Sequence, residues 1–355
     1  MPELIRPPSI LPAGLSRRSV LGGAALLAAP AVITRPARAA ESCVVGTWGG
    51  DYARLLRENI DDPILKPAGI DVVQDVGDEQ PRVAKLYAQK KLPHGTQDIS
   101  CVGAVNGYRV TEADLVETLD ETKVPNLKHV HPNLRMPGFV PHIYSAQVIV
   151  YNPDIVKEPP QSLGDLLDPK WKGKIGMVST VSYWVLMAAS LLETGTTTDF
   201  DKAQAFMLKL NANGLRLYPE TDSLAPAFKS GEIEVGVIWL ARSYMWQNAG
   251  FPVKGTFPKE GAILYVSGMV LPKNAPNKEV AFKYMNALLE PSAQQGFAAH
   301  MGYLPTVDDA PLSGKVGEQL ALPQPAPKLV TADYPVLSKA MPDLNDWWLK
   351  NIQRS

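Results

Sequence analysis

The chain of 355 residues has few cysteines, little net charge and no bilayer-length hydrophobic run. Two cysteines are too few for a disulfide-stapled scaffold or a four-cysteine zinc site. A formal net charge of −1 excludes a basic footprint for nucleic acid, so we expect no nucleic-acid partner. The length and the hydrophobic content of 45% are typical of a folded protein with two lobes.

The motifs of common enzyme classes are also missing. The sequence has no G-x-S-x-G turn, no G-x-G-x-x-G loop and no phosphate-binding G-K-[S/T] loop. We therefore predict no catalytic residues, no cofactor and no enzyme activity. His129 and His131 form a close pair, but the surrounding prolines predict a loop with no third ligand nearby, and we predict no metal site.

The N-terminal segment has the three parts of an export signal. Arg17 and Arg18 precede a short apolar run, Gly22 to Ile33, and Ala37-Arg38-Ala39 is a small-residue cleavage site. The run is shorter than the roughly 20 residues that span a bilayer. Paired arginines are typical of the twin-arginine route. We predict a twin-arginine (Tat) signal peptide at 1–39, removed to give a periplasmic protein.

Cys43 and Cys101 lie in two segments that we predict to be strands of one sheet. Export permits a disulfide, whereas a bridge between neighbouring parallel strands needs favourable geometry. Both a disulfide and two buried free thiols are compatible with the sequence.

Short apolar segments alternate with helical ones along the rest of the chain. Strand-like segments at 43–48, 70–73 and 97–102 alternate with helical segments, and the pattern recurs at 174–178 and 234–239. This alternation predicts an α/β fold with mainly parallel sheets flanked by helices. Such sheets bind ligands at the carboxyl ends of their strands.

Six stretches, in order along the chain, resemble one known family. They are Thr47 to Tyr52, Pro125 to Leu127, Tyr151 to Asp154, Asp168 to Lys174, Leu271 to Glu279 and Met301 to Pro305. The set is similar to bacterial ABC-transporter solute-binding proteins of extracellular family 1, in the branch of the spermidine/putrescine receptors. The resemblance implies a type II-like periplasmic-binding-protein fold of two lobes joined by hinge strands. It also implies a ligand in the cleft and a membrane permease that receives the closed form.

The resemblance further implies how the chain divides. We expect the first part of lobe 1 at 40–146, lobe 2 at 150–262 and the return segment of lobe 1 at 266–305. The C-terminal segment, 306–355, is expected to pack mainly on lobe 2. We expect the protein to be a monomer.

The aromatic residues of the polyamine receptors are kept, whereas their acids are replaced. The resemblance places Trp48, Trp239 and Tyr265 in the cleft, where rings cover the methylene chain of a polyamine. Hydroxyl residues at 179–182 stand where acids would open a helix, and Ser267 replaces an aspartate. Each missing carboxylate removes a charge-assisted hydrogen bond of roughly 1.5–3 kcal/mol.

These replacements favour an anionic group on the ligand. Ser179, Thr180 and Ser182 offer hydroxyls beside the free N–H groups of a predicted helix start. Arg242, one turn after Trp239, can form two parallel hydrogen bonds to a carboxylate or phosphonate. Helix capping and a surface ion pair are the competing explanations for the hydroxyls and for Arg242.

We therefore predict a small organic anion or zwitterion as the ligand. An amino group, if the ligand has one, would meet an acid of lobe 1, namely Asp51, Asp78 or Glu79. The candidate ligand-binding residues are Trp48, Gly49, Asp51, Glu79, Ser179, Thr180, Ser182, Tyr183, Trp239, Arg242, Tyr265 and Ser267.

Three other functions stay open. Polyamine binding by the same fold is the first alternative. An exported enzyme of similar two-lobed shape would need a nucleophile, metal cluster or covalent cofactor. A ferric-ion receptor of the superfamily typically needs adjacent tyrosines, whereas Tyr183 is followed by Trp184.

Overall fold

A computed structural model describes residues 41–353, apart from the side chains of Val181 and Asp222, and the predicted signal peptide at 1–39 lies outside them. The strands are β1 (Glu41–Thr47), β2 (Ile70–Val76), β3 (Ile99–Gly103), β4 (Val140–Tyr151), β5 (Ile175–Val178), β6 (Leu215–Tyr218), β7 (Val235–Trp239), β8 (Lys254–Thr256), β9 (Ala262–Val270), β10 (Leu304–Pro305) and β11 (Leu329–Val330). The α-helices are α1 (Gly50–Leu56), α2 (Glu79–Gln89), α3 (Ala104–Glu112), α4 (Ser182–Thr194), α5 (Phe200–Ala212), α6 (Thr221–Ser230), α7 (Leu240–Asn248), α8 (Lys278–Leu288), α9 (Pro291–Met301), α10 (Gly314–Leu320) and α11 (Tyr334–Trp348). π-Helical turns extend α1 over Arg57–Leu65 and α11 over Leu349–Gln353.

The main path of the sheet runs β2-β1-β3-β9-β4-β7-β5-β6. Strand β1 is parallel to β2 and β3, and β5 is parallel to β6 and β7. Strands β4 and β9 run antiparallel to each other between these two parallel units. The protein therefore has the predicted two-lobed α/β fold, with long strands crossing between the lobes.

Strand β4 changes its partner where it crosses between the lobes. Residues 140–146 pair with β9, and residues 147–151 pair with β7. The buried apolar side chains divide at the same point, since Ala146 belongs to one hydrophobic cluster and Val148 to a second. We call the parts of the chain around the first and second clusters lobe 1 and lobe 2. Tyr265 of β9 packs against both clusters.

The C-terminal segment contacts both lobes. Val307 packs in the first cluster, whereas Leu337, Leu344 and Trp348 of α11 pack in the second. The Tyr334 ring, at the start of α11, packs against both clusters. The lobe boundaries expected from the sequence, at 40–146, 150–262 and 266–305, remain a proposal.

Several elements differ from the sequence-based prediction. Strand β4 begins at Val140, whereas the apolar run predicts a start at Ala146, because Pro141 and polar residues interrupt the pattern. Strand β6 and helix α6 are not predicted, since β6 is a short, half-exposed strand and Pro226 interrupts the helical pattern of α6. Helix α11 begins at Tyr334, about two turns before the predicted start near Asp343.

Both cysteines are buried free thiols. The register of β1 and β3 pairs Val45 with Ile99 and Gly46 with Ser100. Cys43 thus lies four residues from the position opposite Cys101, which corresponds to roughly 13 Å along a strand. A disulfide needs Cα atoms within about 7 Å, so the register explains why these thiols stay separate.

His142 of β4 is a fully buried histidine in the core of lobe 1. Its Nδ1 atom shares a hydrogen bond of 2.8 Å with the Tyr52 hydroxyl, and its ring contacts Phe297 with centroids 4.3 Å apart. Its Nε2 atom has no hydrogen-bond partner among residues 41–353. Burial lowers the pKa of His142 from 6.5 to about 3, so the folded protein keeps this side chain neutral.

This buried imidazole predicts a loss of stability in acid. Below pH 6.5 the unfolded chain binds a proton at His142 that the folded protein excludes until about pH 3. We expect the free energy of unfolding to fall by up to about 1.4 kcal/mol per pH unit across that window. Urea unfolding of the wild type and of His142→Gln between pH 7 and 4 measures this effect. Parallel pH profiles for the two proteins would contradict it.

Candidate functional site

Two adjoining cavities lie at the boundary between the lobes, with volumes of about 470 and 200 Å³. They share four lining residues, Thr221, Arg242, Tyr265 and Tyr303. We call the combined space the cleft. Eight of the twelve candidate ligand-binding residues line it, namely Trp48, Gly49, Asp51, Thr180, Trp239, Arg242, Tyr265 and Ser267.

Aromatic rings form a connected wall of the cleft. The ring centroids of Trp239 and Tyr265 are 5.2 Å apart, and those of Tyr265 and Tyr303 are 6.1 Å apart. Trp184 supports this wall from the core of lobe 2, with its ring 5.3 Å from that of Trp239. Edge and tilted contacts at these distances hold rings firmly, so the wall offers a preformed surface for the body of a ligand.

Trp48 supplies a further ring from lobe 1. It follows β1 directly, and its partly exposed indole meets Tyr52 edge-on at 5.0 Å. The Trp48 side chain therefore stays at the carboxyl end of the strand instead of entering the core. Trp48 and Trp239 line adjoining parts of the cleft.

Arg242 is the third residue of α7, which begins after Trp239. Its Nη1 atom lies 3.5 Å from the sulfur of Met245, and it forms no ion pair within residues 41–353. A cation in the first turn of a helix opposes the helix dipole, so this position does not stabilise α7. The guanidinium and the helix N-terminus together produce positive potential in the cleft.

The positive potential also affects a neighbouring tyrosine. Burial raises the pKa of Tyr303, and the charge of Arg242 opposes this rise. Arg242 and Tyr303 line both cavities, so a ligand oxygen can meet the guanidinium and the hydroxyl in the same place.

The acids of lobe 1 already bind other protein groups. Asp51 lies in the first turn of α1, which Gly49 caps, and its Oδ1 atom is 2.9 Å from Nη2 of Arg54. Glu79 accepts hydrogen bonds from the Gly103 amide at 2.8 Å and from Asn106 at 2.7 Å. Glu79 does not line the cleft.

Asp78 is the exposed residue before α2 and does not line the cleft. Asp51 is thus the one carboxylate among the lining residues that the structure describes.

The hydroxyl residues before α4 are brought to the cleft only in part. Ser179 opens a short 3₁₀ turn, Thr180 lines the smaller cavity, and Ser182 is buried at the start of α4. Tyr183 packs on Trp184 with centroids 5.0 Å apart and does not line the cleft. Burial, reinforced by the charge of Glu79, raises the pKa of Tyr183 to about 12.

Ser267 is fully buried in the wall of the larger cavity, where its hydroxyl donates to the Val102 carbonyl at 3.4 Å.

Sequence reasoning missed two residues that line both cavities, Thr221 and Tyr303. Thr221 begins α6 just after β6, so recognising that short strand would have placed it at a strand end. Tyr303 lies within one of the stretches that carry the family resemblance, Met301 to Pro305, and that stretch was the available signal.

The histidine pair does not converge on one site. His129 lies between two carboxylates, with Asp308 at 3.1 Å from Nδ1 and Asp309 at 3.4 Å from Nε2. His131 instead meets the Tyr144 ring edge-on at 6.2 Å. The two aspartates come from a distant part of the chain, so the sequence around His129 gave no sign of them.

Two α/β lobes around an aromatic-lined cleft define the class of proteins that enclose a small solute between lobes. A model of the bacterial extracellular solute-binding proteins matches residues 66–324. The chain belongs to this family. Its relatives are solute-binding transport proteins and not enzymes. The described residues contain no helix that is long and apolar enough to cross a membrane.

Individual relatives agree with this assignment. The spermidine/putrescine-binding periplasmic protein of Escherichia coli (strain K12) is 28% identical over 235 residues, which are 61% of this chain and 66% of that protein. The alignment thus spans just under two thirds of the relative's length.

Two solved structures share the fold. An extracellular solute-binding protein from Bordetella parapertussis has a TM-score of 0.77 at 21% identity, covering 88% of this chain and 99% of its own. The Atu4243-GABA receptor has a TM-score of 0.77 at 22% identity, covering 87% and 97%.

Proposed function

We propose that the chain is the periplasmic substrate-binding component of an ABC importer. It captures a small organic anion or zwitterion, bearing a carboxylate or phosphonate, in the cleft between its lobes. It then delivers this ligand to a membrane permease. The family and the periplasmic location of its named relatives support the transport role. Export through a signal peptide at 1–39 and a monomeric state belong to the same proposal.

Arg242 is the observation that carries the choice of an anion. It lines both cavities, has no ion pair within residues 41–353 and lies where the dipole of α7 is unfavourable for a cation. A half-buried guanidinium without a protein carboxylate is satisfied best by a carboxylate or phosphonate from the ligand. The Tyr303, Thr221 and Thr180 hydroxyls supply further donors around that group.

Hinge bending at the crossing strands provides the capture step. Each lobe contributes its own residues to the cleft, such as Trp48 from lobe 1 and Trp239 from lobe 2, and Tyr265 packs against both cores. Closure around a ligand removes water from these groups and strengthens each polar contact. The permease would then receive the closed form.

Polyamine binding is the second candidate, and the 28% identity with the spermidine/putrescine-binding relative favours it. The charges of the cleft oppose it. Asp51 is exposed and paired with Arg54, and Glu79 is bound to Gly103 and Asn106. A dication would therefore find one partly engaged carboxylate among the described lining residues and one unpaired cation.

Three ligands with the same four-carbon chain test the proposal. Butanedioate has two carboxylates, 4-aminobutanoate has one carboxylate and one ammonium group, and 1,4-diaminobutane has two ammonium groups. We expect the first two to raise the melting temperature of the mature protein and to give measurable heats in calorimetry. We expect the diamine to bind at least about 10-fold more weakly than the better of these two, because the cleft pairs Arg242 with the ligand's acid. Preferential binding of the diamine would establish the polyamine alternative instead.

A further inference from the structure

Arg82 is a buried cation that the proposed ligand contacts do not use. The residue is only 4% exposed. Its guanidinium donates hydrogen bonds to the carbonyl oxygens of Thr47, Gly77 and Cys101, and it forms no salt bridge within residues 41–353. Carbonyl oxygens satisfy the N–H groups but leave the unit charge in place.

The two acids that act electrostatically on Arg82, Glu79 and Asp75, have other hydrogen-bond partners. Glu79 accepts from Gly103 and Asn106. Asp75 accepts from Gln97 at 2.6 Å and lies 3.1 Å from Nζ of Lys85. Both carboxylates act electrostatically on Arg82, but neither forms an ion pair with it among the described side chains, so they offset its charge only in part.

This charge lies directly behind the Trp48 ring. Cζ of Arg82 is 4.9 Å from the ring centroid. Trp48 lines the larger cavity and Arg82 does not, so the guanidinium lies on the side of the ring away from the ligand. Of the three carbonyl groups that hold the guanidinium, Thr47 ends β1, Cys101 belongs to β3 and Gly77 precedes α2. These hydrogen bonds fix the guanidinium within lobe 1.

A cation behind the ring changes which ligand group the front face accepts. An indole face normally attracts an ammonium group. An ammonium group in front of Trp48 would lie roughly 9 Å from the guanidinium, with the low-dielectric ring between them. At an effective dielectric constant of about 20, the unopposed repulsion between these charges would lower the affinity about 20-fold, and the partial offset by Glu79 and Asp75 leaves about 10-fold.

We propose that Arg82 is a positioning residue that sets the charge preference of the cleft. Its fixed charge behind Trp48 keeps ammonium groups off this ring and leaves the ring to uncharged or anionic parts of the ligand. This inference rests on the proposed function and narrows it. The ligand is an anion, or a zwitterion whose ammonium group lies away from Trp48.

The test compares Arg82→Gln with Arg82→Lys, after circular dichroism has shown that each variant is folded. Calorimetry at low salt measures the binding of 1,4-diaminobutane and butanedioate. We expect Arg82→Gln to raise the affinity for the diamine about 10-fold relative to butanedioate, because the charge is gone. Arg82→Lys keeps the charge and should retain the wild-type ratio of the affinities for 1,4-diaminobutane and butanedioate. An unchanged ratio in Arg82→Gln, no diamine binding in that variant, or the same ratio in both variants would overturn the inference.

A comparison of two ligands on the wild-type protein keeps the inference testable if Arg82→Gln does not fold. 4-Hydroxybutanoate and 4-aminobutanoate share the carboxylate and differ at the end that reaches lobe 1. We expect the hydroxy acid to bind about 10-fold more tightly. Equal or tighter binding of the amino acid would overturn the inference. Failure of the proposed function would appear differently, as a preference of the wild type for the diamine over butanedioate.

Discussion

Replacement of Arg242 by glutamine is expected to weaken the binding of butanedioate by about 10- to 100-fold, as measured by calorimetry. The amide can form a neutral hydrogen bond to a carboxylate, but it supplies no charge and no second parallel N–H. Hydrogen bonds to charged groups contribute about 1.5–3 kcal/mol, which corresponds to this range. We expect the affinity for 1,4-diaminobutane to stay unchanged or to rise, because a repulsive cation has been removed.

The same variant separates a binding role from a structural one. Arg242 forms no ion pair within residues 41–353 and opposes the dipole of α7, so the ligand-free melting temperature should stay unchanged or rise slightly. Arg216→Gln is a matched control, because Arg216 forms an exposed ion pair of 2.9 Å with Glu232 in lobe 2. This control should bind butanedioate like the wild type. Wild-type affinity in Arg242→Gln, or a loss of several degrees without ligand, would contradict the proposed role.

Strands β3, β5 and β7 could be predicted from the sequence because they are buried on both faces. The run at Val235 to Trp239 is apolar and fully buried, and such runs stand out from their neighbours. The first half of β4 is also buried, but Pro141, His142 and Ser145 interrupt its apolar pattern. The backbone of this segment pairs with β9 and β10, and those strands are remote in sequence.

The site was predictable where a residue follows a recognisable strand. Trp48 and Trp239 end or follow buried strands, and Arg242 lies one turn further on. Thr221 follows the four-residue strand β6, and Tyr303 precedes β10 in the return segment. Only the tertiary fold brings these two residues to the cleft. Ser182 and Tyr183 are predicted to line the cleft because they adjoin Ser179 and Thr180 in the sequence. Successive residues of a helix point about 100° apart, so neighbours in sequence do not face the same cavity.

Gly268 lies at a close approach between the two crossing strands. It pairs with Val102 of β3 and Pro141 of β4, beside the irregular register between Pro141 and Ile143. A Cβ atom at this position would lie 2.7 Å from Cζ of Phe139 and 2.9 Å from Cα of Pro141, and it would also collide with the Val140 carbonyl. Backbone atoms of a paired strand cannot rotate away, so a side chain there must separate β4 from β9.

Gly268→Ala is therefore expected to lower the free energy of unfolding by about 1–3 kcal/mol, because it overpacks a site bounded by backbone. Urea unfolding monitored by circular dichroism measures this change. Gly77→Ala is the matched control, since a Cβ at Gly77 meets nothing within 4 Å, and it should be neutral or slightly stabilising. The change at Gly268 should also weaken ligand binding, because Ser267 in the cleft wall and the crossing strands must shift together. Wild-type stability in Gly268→Ala would show that β4 and β9 can separate at little cost, and would contradict the view that Gly268 sets the spacing of the crossing strands.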